Sequence, residues 1–201
     1  MVKVFLLMGA EGVGKSTLAD YLVVNHGFVE ISFAEPLRRV AVTVWNTLTG
    51  GNLTVDDTIN QNVKETIISG PNINGKPPTP RAILQWFGTD IMRNMVLNDI
   101  WVNAAQQTIH KYINEGVTNF VISDCRFPNE KNAFKSIENV EIITIRIIPE
   151  IGYDELVAKA MSGHESGRNW LTMEPDIIVV NPKTDKETWC KSIVSDILPT
   201  E

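Results

Sequence analysis

Residues Gly9, Ala10, Glu11, Gly12, Val13, Gly14, Lys15, Ser16 and Thr17 fit the pattern G-x-x-x-x-G-K-[ST]. The apolar run of residues 4–8 stands before them and the helix-like residues 18–22 follow. Strand, glycine loop and helix, in that order, are the setting in which such a loop binds phosphate. Glycines lack the Cβ that would block a tight curl, so successive N–H groups can turn inward, and the positive end of the following helix favours an anion. The pattern puts Lys15 at the β and γ phosphates of a nucleotide and the Ser16 hydroxyl on Mg²⁺. Residue frequencies alone would give the bare pattern in about one chain in a hundred, so its flanks give it weight.

Hydrophobic patterning predicts strands over residues 2–8, 28–33, 120–124, 140–148 and 176–180. The first is apolar with little alternation, as in a strand covered on both faces. Helices are expected over 15–25, with Gly27 as its C-terminal cap, and from Glu35-Pro36 to Gly50-Gly51, with Val40, Val44 and Leu48 on its packed face. A long helical stretch should start at Thr79-Pro80, bend near Asn98-Asp99 and resume to about Glu115. A terminal helix capped at Thr184 with Glu187 as a capping box should reach about Leu198. Residues 52–80 are polar and rich in Asn, Gly and Pro, as in a mobile or inserted segment, with one short helix expected over 63–68. Strands alternating with helices predict a parallel sheet with helices on both faces and ligands at the carboxyl ends of the strands.

A chain of 201 residues is one domain, or one with an inserted lobe. The formal net charge of −6 excludes a chain that coats nucleic acid through bulk electrostatics, so phosphate must be met by local arginines and lysines. Cys125 and Cys190 show no metal or redox spacing and are expected as reduced thiols. No apolar run approaches the roughly 18 residues of a membrane span, and the reading is a soluble, cytoplasmic protein without a membrane or nucleic-acid polymer as partner.

Asp124 ends an apolar strand, where such an enzyme keeps the carboxylate that holds Mg²⁺, although a turn cap is the plainer role. Arg126, two residues on, is placed either to meet charge on a transferring phosphoryl group or to pair with Glu130. Arg38 and Arg39 follow the second strand, Arg81 and Arg93 flank the third helix, and Arg126, Arg146 and Arg168 lie near the expected ligand edge; as a set they favour a second phosphate-bearing substrate. His164 sits in a polar, glycine-flanked loop as a lid contact or a structural side chain; His26 and His110 read as structural. Trp45, Trp86 and Trp101 fit core packing, and Trp86, beside Gln85, is the one placed to line a base pocket.

Three motifs carry a family resemblance: Ser32-Phe33-Ala34-Glu35-Pro36-Leu37-Arg38, Arg81-Ala82-Ile83-Leu84-Gln85-Trp86-Phe87-Gly88-Thr89-Asp90, and Ile122-Ser123-Asp124-Cys125-Arg126-Phe127-Pro128-Asn129-Glu130. With the P-loop in front and Gly163-His164-Glu165-Ser166 behind, the chain resembles the deoxynucleoside monophosphate kinases of tailed bacteriophages over nearly its whole length. The resemblance implies an α/β P-loop NTPase fold: a three-layer, adenylate-kinase-like core on a mostly parallel five-stranded sheet, with a helical acceptor-binding region over about 34–115 and a lid over 148–171. It implies transfer of the γ phosphate of ATP, with Mg²⁺, to a deoxynucleoside monophosphate. Residues 9–17 serve ATP, and Ser16 and Asp124 the metal. Lys15, Asp124 and Arg126 stand at the reacting centre, Arg38, Arg81, Gln85, Trp86, Asp90 and Arg93 on the acceptor side, and Arg146, His164 and Arg168 at the lid. Gly167 follows Ser166 where the family pattern leads one to expect an acidic residue, which Glu165 would have to replace. A homodimer and a host-cytoplasmic location belong to the same set of expectations.

Two other readings compete. Another small-molecule P-loop kinase, acting on dephospho-coenzyme A or phosphomevalonate, shares the loop but not the motifs at 81–90 and 124–130. A GTPase-type switch needs Asn-Lys-x-Asp and Asp-x-x-Gly, which Asn181-Pro182-Lys183-Thr184 and Asp124-Cys125-Arg126-Phe127 do not provide.

Overall fold

The computed structural model describes residues 1–135 and 137–198. Among them five strands form one parallel sheet in the order β2-β3-β1-β4-β5. The strands are β1 Val2–Met8, β2 Val29–Ile31, β3 Asn119–Ile122, β4 Val140–Pro149 and β5 Ile177–Asn181. Residues 4–8 are all buried, so the central strand is covered on both faces, as its unbroken apolar run requires. The register places Leu6 beside Ile122 and Thr144, Ile31 beside Ile122, and Ile145 beside Ile177. This is an α/β fold on a parallel five-stranded sheet, as expected.

The chain divides into two compact units, Met1–Ser32 with Ala105–Glu201, and Phe33–Ala104. The first holds the sheet with α1 Lys15–His26, α6 Pro128–Asn132, α7 Tyr153–Met161, α8 Glu165–Arg168 and α9 Lys186–Ile197. Helix α1 ends where Gly27 turns to φ 66°, the left-handed cap foreseen for it. The cap of α9 lies one residue later than expected: the Asp185 carboxylate, not Thr184, accepts from Thr188 N–H at 2.7 Å.

The second unit is helical, with α2 Ala34–Thr49, α3 Val55–Ile59, α4 Pro80–Gln85 and a π-helix Trp86–Val96, then a break before α5 Ile100–Asn114, which runs on into the first unit. Its core gathers Ala41, Val42, Trp45, Leu53, Ile83, Phe87 and Trp101. The packed stripe of α2 is therefore Ala41, Val42 and Trp45, with Val44 half-buried against it as expected, while Val40 and Leu48 (75% exposed) lie off the face expected for them. Trp45 carries far more apolar area than a valine, and its burial decides the rotation of the helix. Residues 63–68 form turns rather than a helix. The short helix is α3, nucleated by a capping box in which Thr54 and Asp57 exchange hydrogen bonds.

The helical stretch from Thr79 starts as expected, with the Thr79 hydroxyl accepting from Ala82 N–H at 3.1 Å. The widening after Gln85 was not legible. Its end shows the wider repeat directly, since Leu97 N–H donates to Met92 O, five residues back, at 2.8 Å. Gly88 lies where a Cβ would come within 2.5 Å of Leu37, and its carbonyl accepts from the Trp101 indole at 3.0 Å.

Candidate functional site: a phosphate loop and the strand ends beside it

In the first unit the parallel register brings the ends of β1, β2, β3 and β4 to one edge. The loop from Gly9 leaves β1 there and enters α1 at Lys15. Gly9, Gly12 and Gly14 all have positive φ, at 133°, 79° and 107°. A side chain at Gly9 would also overlap the Ile147 carbonyl, and one at Gly14 would lie 2.6 Å from Asn181 Nδ2 and 3.0 Å from the Trp189 ring. Asn181 braces the loop by donating to Val13 O at 2.8 Å, while Trp189 donates to Val180 O at 2.9 Å. The Lys15 ammonium lies back over the loop, donating to Gly9 O at 2.9 Å and Ala10 O at 2.6 Å. Ser16 is exposed at the first turn of α1.

Asp124 stands two residues past β3 and is 8% exposed. One carboxylate oxygen, Oδ2, accepts from Ser32 Oγ at 2.7 Å. Glu130, 2% exposed, accepts from the backbone N–H groups of Arg126 at 2.6 Å and Phe127 at 3.0 Å. The suggested Arg126–Glu130 pairing thus runs through the main chain. The Arg126 side chain is exposed and makes no hydrogen bond or ion pair among the described residues.

The residues expected at the lid are placed as follows. Arg146 lies on β4, donates through Nη2 to Trp170 O at 3.1 Å and to Met173 O, and stands 6.0 Å from the Trp170 ring, so it ties strand to loop. His164 is the N-cap of α8, its Nδ1 accepting from Ser166 N–H at 3.2 Å. Arg168 is exposed at the end of α8. Glu165 accepts from Asn169 Nδ2 at 3.2 Å within the same turn.

In the second unit, Arg38 is half-buried on α2. Arg39 is exposed and paired with Glu35 one turn back. Arg81 pairs with Glu65 at 2.5 Å, and its N–H donates to Lys64 O at 2.9 Å. Arg93 is 7% exposed and donates to Asn98 O at 3.4 Å. Gln85, Trp86 and Asp90 are half-buried around the start of the π-helix. Trp86 lines an apolar groove with Trp45, Ile83 and Phe87, while Trp45 and Trp101 are core side chains.

Residues 52–184 match the deoxynucleotide monophosphate kinase family. A protein of Acanthamoeba polyphaga mimivirus, named as a candidate deoxynucleotide monophosphate kinase, is 31% identical over 198 residues, spanning 93% of this chain and 92% of its own. The chain belongs to this family. It is accordingly a phosphotransferase acting on nucleotide monophosphates. Solved structures give looser likenesses. A sugar kinase from a Janibacter species is 14% identical, with a TM-score of 0.49, 99% of this chain covered and 97% of its own. The dephospho-CoA kinase of Campylobacter jejuni is 15% identical, with a TM-score of 0.47 and 97% of each chain covered.

Two contacts at this edge escaped the sequence reading, Ser32 to Asp124 and Asn181 to Val13. Ser32 and Asn181 both stand at strand ends, and only the strand order shows what they face. Among the described residues no group of three or more His, Cys, Asp or Glu forms a metal cage. A nucleotide-borne Mg²⁺ needs less: one or two protein oxygens, with phosphate oxygens and water completing the shell. A hydroxyl at Ser16 and a mostly buried carboxylate at Asp124 are hard oxygen donors of that kind, so the donor set fits the ion.

Proposed function

We propose that this kinase transfers the γ-phosphoryl group of ATP to the phosphate of a deoxynucleoside monophosphate with Mg²⁺ present. The observation that carries the reading is the combination of a formed P-loop at residues 9–17 with a family match over residues 52–184, the stretch that holds the motifs at 81–90 and 122–130. An acceptor phosphate oxygen attacks the γ phosphorus, the bond from that phosphorus to the β–γ bridging oxygen breaks, and ADP leaves.

The protein's part is placement and charge neutralisation. Two anionic substrates must meet on a chain of net charge −6, so the cations have to be local. Lys15 exchanges its contacts with the Gly9 and Ala10 carbonyls for the β and γ phosphates. Arg126 meets charge that develops on the transferring group, and Arg38, Arg81 and Arg93 hold the acceptor phosphate, with Gln85, Trp86 and Asp90 around its nucleoside. Residues 148–171 act as the lid, with His164 and Arg168 on it and Arg146 tethering its far end; closure excludes water and suppresses wasteful hydrolysis. Ser16 and Asp124 would hold Mg²⁺, which when bound supplies charge neutralisation at the phosphates. The test is ADP release, coupled to NADH oxidation, with each common deoxynucleoside monophosphate in turn. Release should require the acceptor and stop with EDTA; ADP release indifferent to the acceptor would refute the reading.

A further inference from the structure

We propose that Ser32 is a positioning residue for Asp124, setting the orientation in which that carboxylate can take Mg²⁺; the inference rests on the reading of Asp124 above. Strands β2 and β3 run side by side in parallel, with Ile31 opposite Ile122. The next residues along each strand, Ser32 and Ser123, therefore emerge together, and Asp124 follows at once. Ser32 Oγ donates to Asp124 Oδ2 at 2.7 Å across 92 residues of sequence. A hydroxyl donor anchored to one carboxylate oxygen restrains the rotation of the group and so limits where the other oxygen points. Because the serine is anchored to the strand paired with β3, the sheet itself sets the geometry.

The neighbouring rung supplies a control. Ser123 Oγ donates to Glu30 Oε1 at 2.6 Å, joining the same two strands through a second serine and carboxylate. Glu30 is exposed and has no part in the reaction proposed here. If the serines only stitch strand ends, losing either should have the same effect.

The experiment uses the full chain bound to a non-hydrolysable ATP analogue, with Mn²⁺ as the paramagnetic probe and its affinity read by electron paramagnetic resonance. Ser32→Ala should weaken Mn²⁺ binding about tenfold, in the range seen when partners behind a metal ligand are removed. Ser32→Cys, a near-isostere with a weak donor, should follow Ser32→Ala, whereas Ser32→Thr should restore binding and Ser123→Ala should leave it unchanged. The Mg²⁺ concentration for half-maximal rate should shift with the Mn²⁺ affinity while the acceptor KM stays put. Equal Mn²⁺ affinity in Ser32→Ala and Ser123→Ala, or a loss that Ser32→Thr does not restore, would overturn the proposal. Asp124→Asn separates the two layers. If it weakens Mn²⁺ binding and Ser32→Ala does not, the inference alone falls; if it leaves Mn²⁺ binding intact, the metal role of Asp124 falls with it.

Discussion

At the residue scale, Lys15 packs against loop carbonyls and contributes nothing to the core. Lys15→Ala should therefore leave the melting temperature within a degree or two of the parent while lowering kcat on the order of 100-fold or more, the usual cost of losing a preorganised cation. Near-normal turnover would remove the P-loop from the account. Arg38 and Arg126 should fail differently. Arg38→Ala should mainly raise the acceptor KM, because it grips the phosphate in ground and transition states alike. Arg126→Ala should lower kcat about 100-fold with the ATP KM little changed. Since Glu130 is satisfied by backbone N–H groups, Glu130→Ala should cost stability rather than copy the Arg126 defect. A melting curve and steady-state kinetics on the three variants decide. The glycine loop holding Lys15 and Ser16 and the strand end at Asp124 were legible in sequence because each belongs to a local pattern. The contact of Ser32 with Asp124 was not, because the two lie 92 residues apart on strands whose pairing no local pattern reveals.

At the scale of elements, the start of β5 is pinned to β4 through Asp176, whose carboxylate accepts from Thr144 N–H at 2.7 Å and Thr144 Oγ at 2.6 Å. Burial alone would raise its pKa, but the Thr144 hydrogen bonds, with Lys131 and Lys135 nearby, outweigh that and lower it. A depressed carboxylate gives stability that is present above its unfolded value near 4 and lost as pH falls through the lower folded value. Asp176→Asn should melt below the parent at pH 7, and the gap should close as thermal melts are repeated from pH 4 downward. A gap independent of pH would show that the charge is not what Thr144 stabilises. Periodicity placed most elements correctly. It failed on part of α2, where Ala41, Val42 and Trp45 turn inward and Val40 and Leu48 do not, and on the π-helix, because a wider repeat leaves no mark in composition.

At the scale of the molecule, the sheet unit and the helical unit follow the alternation of strand and helix patterns and its interruption after β2. Strand order, which decides what meets at the carboxyl edge, is a tertiary property. Cys190 reports on global unfolding: burial pushes its thiol up to about 11. At pH 8 only about a thousandth of it is thiolate, so iodoacetamide should label it slowly in the native protein and rapidly once denaturant unfolds the chain. Fast native labelling would contradict the packing of α9. The central claim, phosphoryl transfer to a deoxynucleoside monophosphate, is tested most directly by following the label of ATP carrying ³²P at the γ position. With deoxynucleoside monophosphates and dephospho-coenzyme A offered separately, the label should appear in a deoxynucleoside diphosphate and not in the coenzyme. Label found only in inorganic phosphate, or on the coenzyme alone, would contradict it.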